Sequence, residues 1–191
     1  GIDNKAFQQQ LPLSREFLGL QADHFIIGSV GRFAPIKRYP LLLEAFALLY
    51  TKYSQARLLL IGGGPQEKML RVQAQQLGIT DAIRWIINKP AAPYYGLMDC
   101  FVLTSEREGI SIALLEAMGC NVACVVTYAT MQHPVLENMH TGIVVYPSNA
   151  TLLYQNMLIL ITNNSIRKQL AKNAQQLVEN DFNCHRMVNA Y

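Results

Sequence analysis

The sequence predicts an α/β fold: one parallel sheet covered by helices on both faces. Three observations carry that expectation. Short apolar runs of strand length alternate along the chain with segments whose apolar residues recur at helical spacing. Most of the runs end in turn-forming residues such as Gly31, Gly62-Gly63-Gly64-Pro65 and Asn88-Lys89-Pro90. With 191 residues, 51% hydrophobic and 15% charged, the chain has enough apolar material to bury the core of one domain.

Residues 1–23 are polar and irregular, with one helical turn expected near Ser14 to Leu20. The first strand is Phe25 to Val30, followed by the basic loop Gly31-Arg32-Phe33-Ala34-Pro35-Ile36-Lys37-Arg38-Tyr39-Pro40. Leu41, Leu42, Ala45, Phe46, Leu48 and Leu49 then repeat at helical spacing, with Pro40 tolerated in the first turn. The second unit is the strand Arg57 to Ile61, the glycine turn, and a helix Gln66 to Leu77 closed by Gly78. A third strand, Ile83 to Ile87, leads to a short helix containing Tyr94, Tyr95 and Met98. Next come the strand Cys100 to Leu103, a loop and helix over Ser105 to Met118, the strand Val122 to Val126, a loop Thr127 to Pro134 and a short strand Gly142 to Tyr146. Two helices follow, Thr151 to Ile161 and Ile166 to Asn180, divided by Thr162-Asn163-Asn164-Ser165, whose Asn and Ser residues suit a turn and an N-cap. The tail 181–191 is expected to form a last short helix. With no repeats or linkers, residues 1–191 read as one domain.

The net charge of +3 is mild, and no Lys/Arg block or recognition motif points to nucleic acid. A weakly basic face would suit peripheral contact with anionic lipid. Apolar runs such as Ala113 to Leu115 fall far short of the roughly 20 residues that span a bilayer. Residues 1–5 carry no apolar signal segment. The cysteines Cys100, Cys120, Cys124 and Cys184 lack C-x-x-C spacing, which favours a reduced, cytoplasmic chain. Cys120 and Cys124 are expected to pack at a helix end and in the next strand.

In open α/β sheets ligands bind beyond the carboxyl ends of the strands. The loops at those ends hold Arg32 and Lys37, the three glycines, Asn88 and Lys89, and Glu108 to Ser111. The run Ser105 to Met118 is the centre of the reading. Gly109 lets backbone approach a ligand, the first helical turn offers free N–H groups to a phosphate, and Glu108 and Glu116 flank that turn. Cations from one loop and a helix start from another suit a diphosphate, and a sugar nucleotide satisfies the arrangement. Gly62 opens no G-x-G-x-x-G, because Glu67 stands at the third glycine's place; there is no P-loop string and no Asp-x-Asp pair to bridge a diphosphate through a metal. Ser111 reads equally as a plain N-cap or as part of the site.

These residues together resemble the C-terminal, donor-binding domain of a GT-B-fold glycosyltransferase of the large retaining family 4 (glycosyl transferases group 1). The family's hallmark of Glu, seven residues, Glu appears as Glu108 to Glu116, continued by Ala117-Met118. Gly1-Ile2-Asp3 resembles the segment opening this domain, Gly31-Arg32 with Lys37 its basic loop, Gly62-Gly63-Gly64-Pro65 its second turn, and Thr141-Gly142 the pair before its last strand. The resemblance implies a Rossmann-like, doubly wound sheet that binds a nucleotide-diphosphate sugar, with the N-terminal acceptor domain absent and little transfer by the isolated chain. It implies that Arg32 and Lys37 neutralise the diphosphate and that backbone at Gly109, Ile110, Ser111 and Ile112 donates to phosphate or sugar oxygens. Glu116 would accept from the ribose hydroxyls, Glu108 would hold the transferred sugar as the catalytic carboxylate, and Ile87 and Asn88 would edge the base. The implied reaction is retaining transfer to a saccharide or lipid-linked acceptor, with no metal and no cofactor beyond the donor.

The chain departs from the family pattern at three places. Ile36 and Arg38 stand where an acid and a glycine usually flank the lysine; the glycine usual after the third strand is replaced around Ile87-Asn88; and Tyr128 to Pro134 replaces a segment of Asp, two glycines and Glu. A degenerate binding or scaffold domain, and a sugar-nucleotide epimerase, are the alternative readings.

Overall fold

The computed structural model describes residues 13–127, 135–146 and 148–182. Six parallel strands form one sheet in the order β3-β2-β1-β4-β5-β6: β1 (Phe25–Val30), β2 (Ala56–Gly62), β3 (Ile83–Ile87), β4 (Cys100–Leu103), β5 (Ala123–Thr127) and β6 (Ile143–Val145). The helices are α1 (Tyr39–Tyr50), α2 (Glu67–Gln76), α3 (Ala92–Tyr95), α4 (Ile112–Gly119), α5 (Ala150–Thr162) and α6 (Asn164–Asp181). Single 3₁₀ turns span Arg15–Leu18, Pro35–Lys37 and Thr80–Ala82. This is the parallel sheet expected from the alternation, in the doubly wound, Rossmann-like order that the resemblance implies. Of the tail 181–191, expected as a last short helix, Asp181 ends α6 and Phe182 caps it, and residues 183–191 lie outside the described residues, as does the loop 128–134.

Both sheet faces are buried because neighbouring strand residues point to opposite sides and nearly all are apolar. Ile27, Leu58, Leu60, Val102 and Val125 pack on one face with Leu42 and Phe46 of α1 and Leu153 and Met157 of α5. Ile26, Leu59, Ile61, Phe101 and Val126 pack on the other with Leu114 and Ala117 of α4 and Ala174 and Val178 of α6. Helix ends follow local chemistry: Ser111, Asn149 and Asn163 accept from the backbone N–H three residues on, and Gly78 after α2 takes φ +68°.

The strand order reverses at β1, which pairs with β2 on one side and β4 on the other. Chain leaving β1 and chain leaving β4 therefore diverge to opposite faces and open a crevice at their carboxyl ends. The basic loop and the Glu108 loop flank that crevice.

Candidate functional site

The glycine turn after β2 serves packing first. A Cβ on Gly62 would lie 2.0 Å from the Gly31 carbonyl oxygen, and one on Gly64 would lie 2.7 Å from that of Phe33. Both glycines also hold positive φ, +149° and +152°. The absence of side chains lets the β2 turn press against the loop after β1, tied by Phe33 N–H to Gly63 O (2.9 Å) and Gln66 N–H to Phe33 O (3.0 Å). Arg32 is carried on this clamped loop with its side chain exposed and without a hydrogen bond or ion pair among the described residues.

The 3₁₀ turn at Pro35–Lys37 is anchored to the loop after β4. Glu106 N–H donates to Ile36 O (2.7 Å) and the Thr104 hydroxyl to Lys37 O (2.7 Å). These bonds bring Lys37 to Glu108. The Lys37 ammonium donates to both carboxylate oxygens, with Oε2 at 3.0 Å, and the side chains are only 22% and 13% exposed. The structure thus joins the first glutamate of the spacing to the second cation of the basic loop.

Gly109 has open space around it, with nothing within 4 Å of the point where a Cβ would stand, whereas Ile110 and Ile112 are exposed beside it. Ser111 is buried and its hydroxyl accepts from Leu114 N–H (3.4 Å), which makes it the N-cap of α4. That cap leaves the N–H groups of Ile112 and Ala113 without an intrahelical acceptor.

One turn further, Glu116 is half-buried and accepts from the Tyr95 hydroxyl through Oε2 at 2.7 Å. Burial raises its carboxyl above the ordinary value of 4.5, partly offset by the Tyr95 hydrogen bond. Tyr95 is fully buried, and burial together with the neighbouring Glu116 pushes its phenol far up, so it remains a donor at any working pH. The sequence places Tyr95 in a short helix and gives no cue that its hydroxyl reaches another helix. Ile87 is half-buried, paired with Gly62; Asn88 is exposed and its N–H donates to Gly62 O (3.0 Å).

Two departures from the family pattern are explained by backbone. Arg38 (φ +50°) and Asn88 (φ +53°) both occupy the left-handed region that glycine adopts most readily. The chain keeps the conformation while changing the residue, and asparagine tolerates it better than arginine. The third departure, Tyr128 to Pro134, lies outside the described residues, as does Gly1-Ile2-Asp3.

No group of three or more His, Cys, Asp or Glu residues able to hold a metal ion occurs among the described residues. Burial pushes the thiols of Cys100 and Cys124 well up and that of Cys120 to about 11, leaving them inert packing groups. Among the described residues no helix is long and apolar enough to cross a membrane.

The site is thus a doubly wound α/β domain with a basic loop and a Glu-x7-Glu helix start on either side of a crevice. The chain belongs to the glycosyl transferases group 1 family, whose model matches residues 12–177. It is 27% identical over 186 residues to the capsular polysaccharide biosynthesis glycosyltransferase CapM of Staphylococcus aureus, covering 95% of this chain and 49% of that protein. The C-terminal domain of a glycosyl transferase group 1 family protein (LpcC) from Francisella tularensis superposes with a TM-score of 0.82 at 23% identity, covering 96% of this chain and all of that one. Anabaena Alr3699/HepE, solved in complex with UDP-glucose, superposes with a TM-score of 0.89 at 22% identity over the whole chain and 54% of its own. The chain spans about half the length of the curated relatives it matches and has the fold of a GT-B C-terminal domain.

Proposed function

We propose that this chain binds a nucleotide-diphosphate sugar and forms the donor half of a retaining, metal-independent glycosyltransferase. The observation that carries the reading is the convergence of Lys37 and Glu108 at the crevice where the sheet order reverses, within the group 1 family. Arg32 and Lys37 meet the diphosphate. The free N–H groups at the start of α4 donate to phosphate or sugar oxygens. Glu116 holds the ribose, Ile87 and Asn88 edge the base, and Glu108 orients the transferred sugar and stabilises the positive charge that develops on it. Side-chain cations take the part a metal would play, in keeping with a sequence that contains no Asp-x-Asp pair.

The UDP-glucose held by the Anabaena neighbour makes uridine diphosphate the first probe. The capsular polysaccharide role of the Staphylococcus relative supports a saccharide or lipid-linked acceptor; the reading places the domain at the cytoplasmic side, with peripheral membrane contact. The acceptor half supplies the rest of the cleft, so this chain alone binds donor and transfers little.

The test joins this domain to its acceptor half and screens nucleotide sugars for transfer. Transfer that retains anomeric configuration, persists in a metal chelator and is lost in Glu108→Gln supports the reading. A joined protein that transfers from no donor would show a binding or scaffold domain instead.

A further inference from the structure

We propose that Tyr95 is a positioning residue for the ribose subsite: its buried hydroxyl fixes the Glu116 carboxylate so that one oxygen faces the ribose. This inference rests on the reading that Glu116 accepts from ribose hydroxyls. The Tyr95 ring is fully buried and packs against Phe101 with centroids 6.2 Å apart. A phenylalanine would fill that space as well, so packing alone does not call for the hydroxyl. The hydroxyl instead crosses from α3 to α4 and donates to Glu116 Oε2 at 2.7 Å. Glu116 Oε1 has no hydrogen-bond partner among the described residues. An ionised carboxylate has acceptor sites on both oxygens, so one oxygen held by the phenol leaves the other for a ligand.

The geometry also answers a problem that Glu116 poses alone. A glutamate on a helix surface samples several rotamers, and fixing one on binding costs affinity. The phenol, immobilised by its ring, fixes the carboxylate before the ligand arrives. The base, the sugar and the diphosphate are not touched by this contact, so its effect belongs to the ribose hydroxyls only.

The experiment measures binding of UDP and of 2′,3′-dideoxyuridine 5′-diphosphate by calorimetry to the 191-residue chain, to Y95F, to E116A and to the double variant. Loss of one hydrogen bond to a charged acceptor should weaken UDP roughly 5–10-fold in Y95F and change the dideoxy analogue less than about twofold. In the E116A background, Y95F should have no further effect on UDP. Equal weakening of both nucleotides, or a Y95F effect that persists without Glu116, overturns the inference and leaves the donor reading standing. A wild-type chain that binds no UDP overturns both. If Y95F does not fold by circular dichroism, E116D takes its place: it keeps the charge and the tyrosine but withdraws the carboxylate from the phenol. The preference for UDP over the dideoxy analogue should then fall several-fold, and an unchanged preference overturns the inference.

Discussion

The Lys37 ammonium is bound by the Glu108 carboxylate, with Oε2 at 3.0 Å, so a cation expected to serve the diphosphate is already engaged by the carboxylate expected to serve the sugar. On the proposed function, a donor arriving in the crevice competes with Glu108 for Lys37. Removing the carboxylate's charge should free the lysine and remove a repulsion from the phosphates. Glu108→Gln is therefore expected to bind free UDP about threefold more tightly, a gain of well under 1 kcal/mol, even as transfer by the joined protein falls by roughly 100-fold or more. Calorimetry and a transfer assay on the same variant check the opposed signs; weaker UDP binding would show that Glu108 does not restrain Lys37.

Arg38 holds φ +50°, where a side chain costs about 1–2 kcal/mol and glycine costs nothing but unfolded-state freedom, about 0.5–1 kcal/mol. Arg38→Gly should accordingly stabilise the chain by about 0.5–1 kcal/mol. Thermal unfolding is the check, with a rise of about 1–4 °C expected for a chain of this size. A lower midpoint would mean that the arginine side chain makes a contribution larger than its backbone strain.

Two glycines of the site should respond in opposite ways. Gly62→Ala places a methyl 2.0 Å from a backbone oxygen at φ +149°, and neither partner can move without parting the two loops. We expect loss of several kcal/mol or of the fold, as for other overpacked, strained positions. Gly109→Ala meets nothing within 4 Å, so circular dichroism and melting should be unchanged while UDP affinity falls, because the new methyl occupies the approach to the start of α4. Unchanged affinity would remove Gly109 from the binding surface.

Glu116 gives opposed pH effects on stability and binding. Its folded-state carboxyl lies above the ordinary 4.5 because of burial, so the fold binds that proton more tightly than the unfolded chain does. The group therefore favours folding at low pH, and that contribution is lost as pH rises through the folded-state value. Glu116→Gln should melt higher than wild type at neutral pH, with the difference vanishing in acid. If Glu116 accepts from ribose hydroxyls as proposed, the ionised form binds best, so the affinity ratio of wild type to E116Q should shrink as pH falls toward the raised value. Parallel titrations by melting and calorimetry check both slopes.

The sheet is legible in the sequence because its strands are continuous apolar runs: all six predicted strands match within one residue at each end, β6 shortening to Ile143–Val145 while Gly142 bridges Asn138. The helix boundaries shift by similar amounts; α6 begins at Asn164, two residues before the expected Ile166, because Asn163 provides its cap. Glu108, Glu116, Arg32 and Lys37 are visible through spacing and position at strand ends. The Lys37–Glu108 pair and the Tyr95–Glu116 bond are not, because each joins residues from different βα units, 71 and 21 positions apart. The glycine turn is visible as a turn, but its purpose needs the Gly31 and Phe33 carbonyls that press on it.

On the proposed function, a nucleoside diphosphate binds between the Arg32 loop and the α4 helix start. Isothermal titration of UDP into wild type, Arg32→Ala and Glu116→Ala tests it most directly. Saturable binding at one site is expected, weakened roughly tenfold by each substitution through loss of a charge-assisted contact. Failure to bind UDP, GDP or ADP, or an affinity that neither substitution changes, would contradict it.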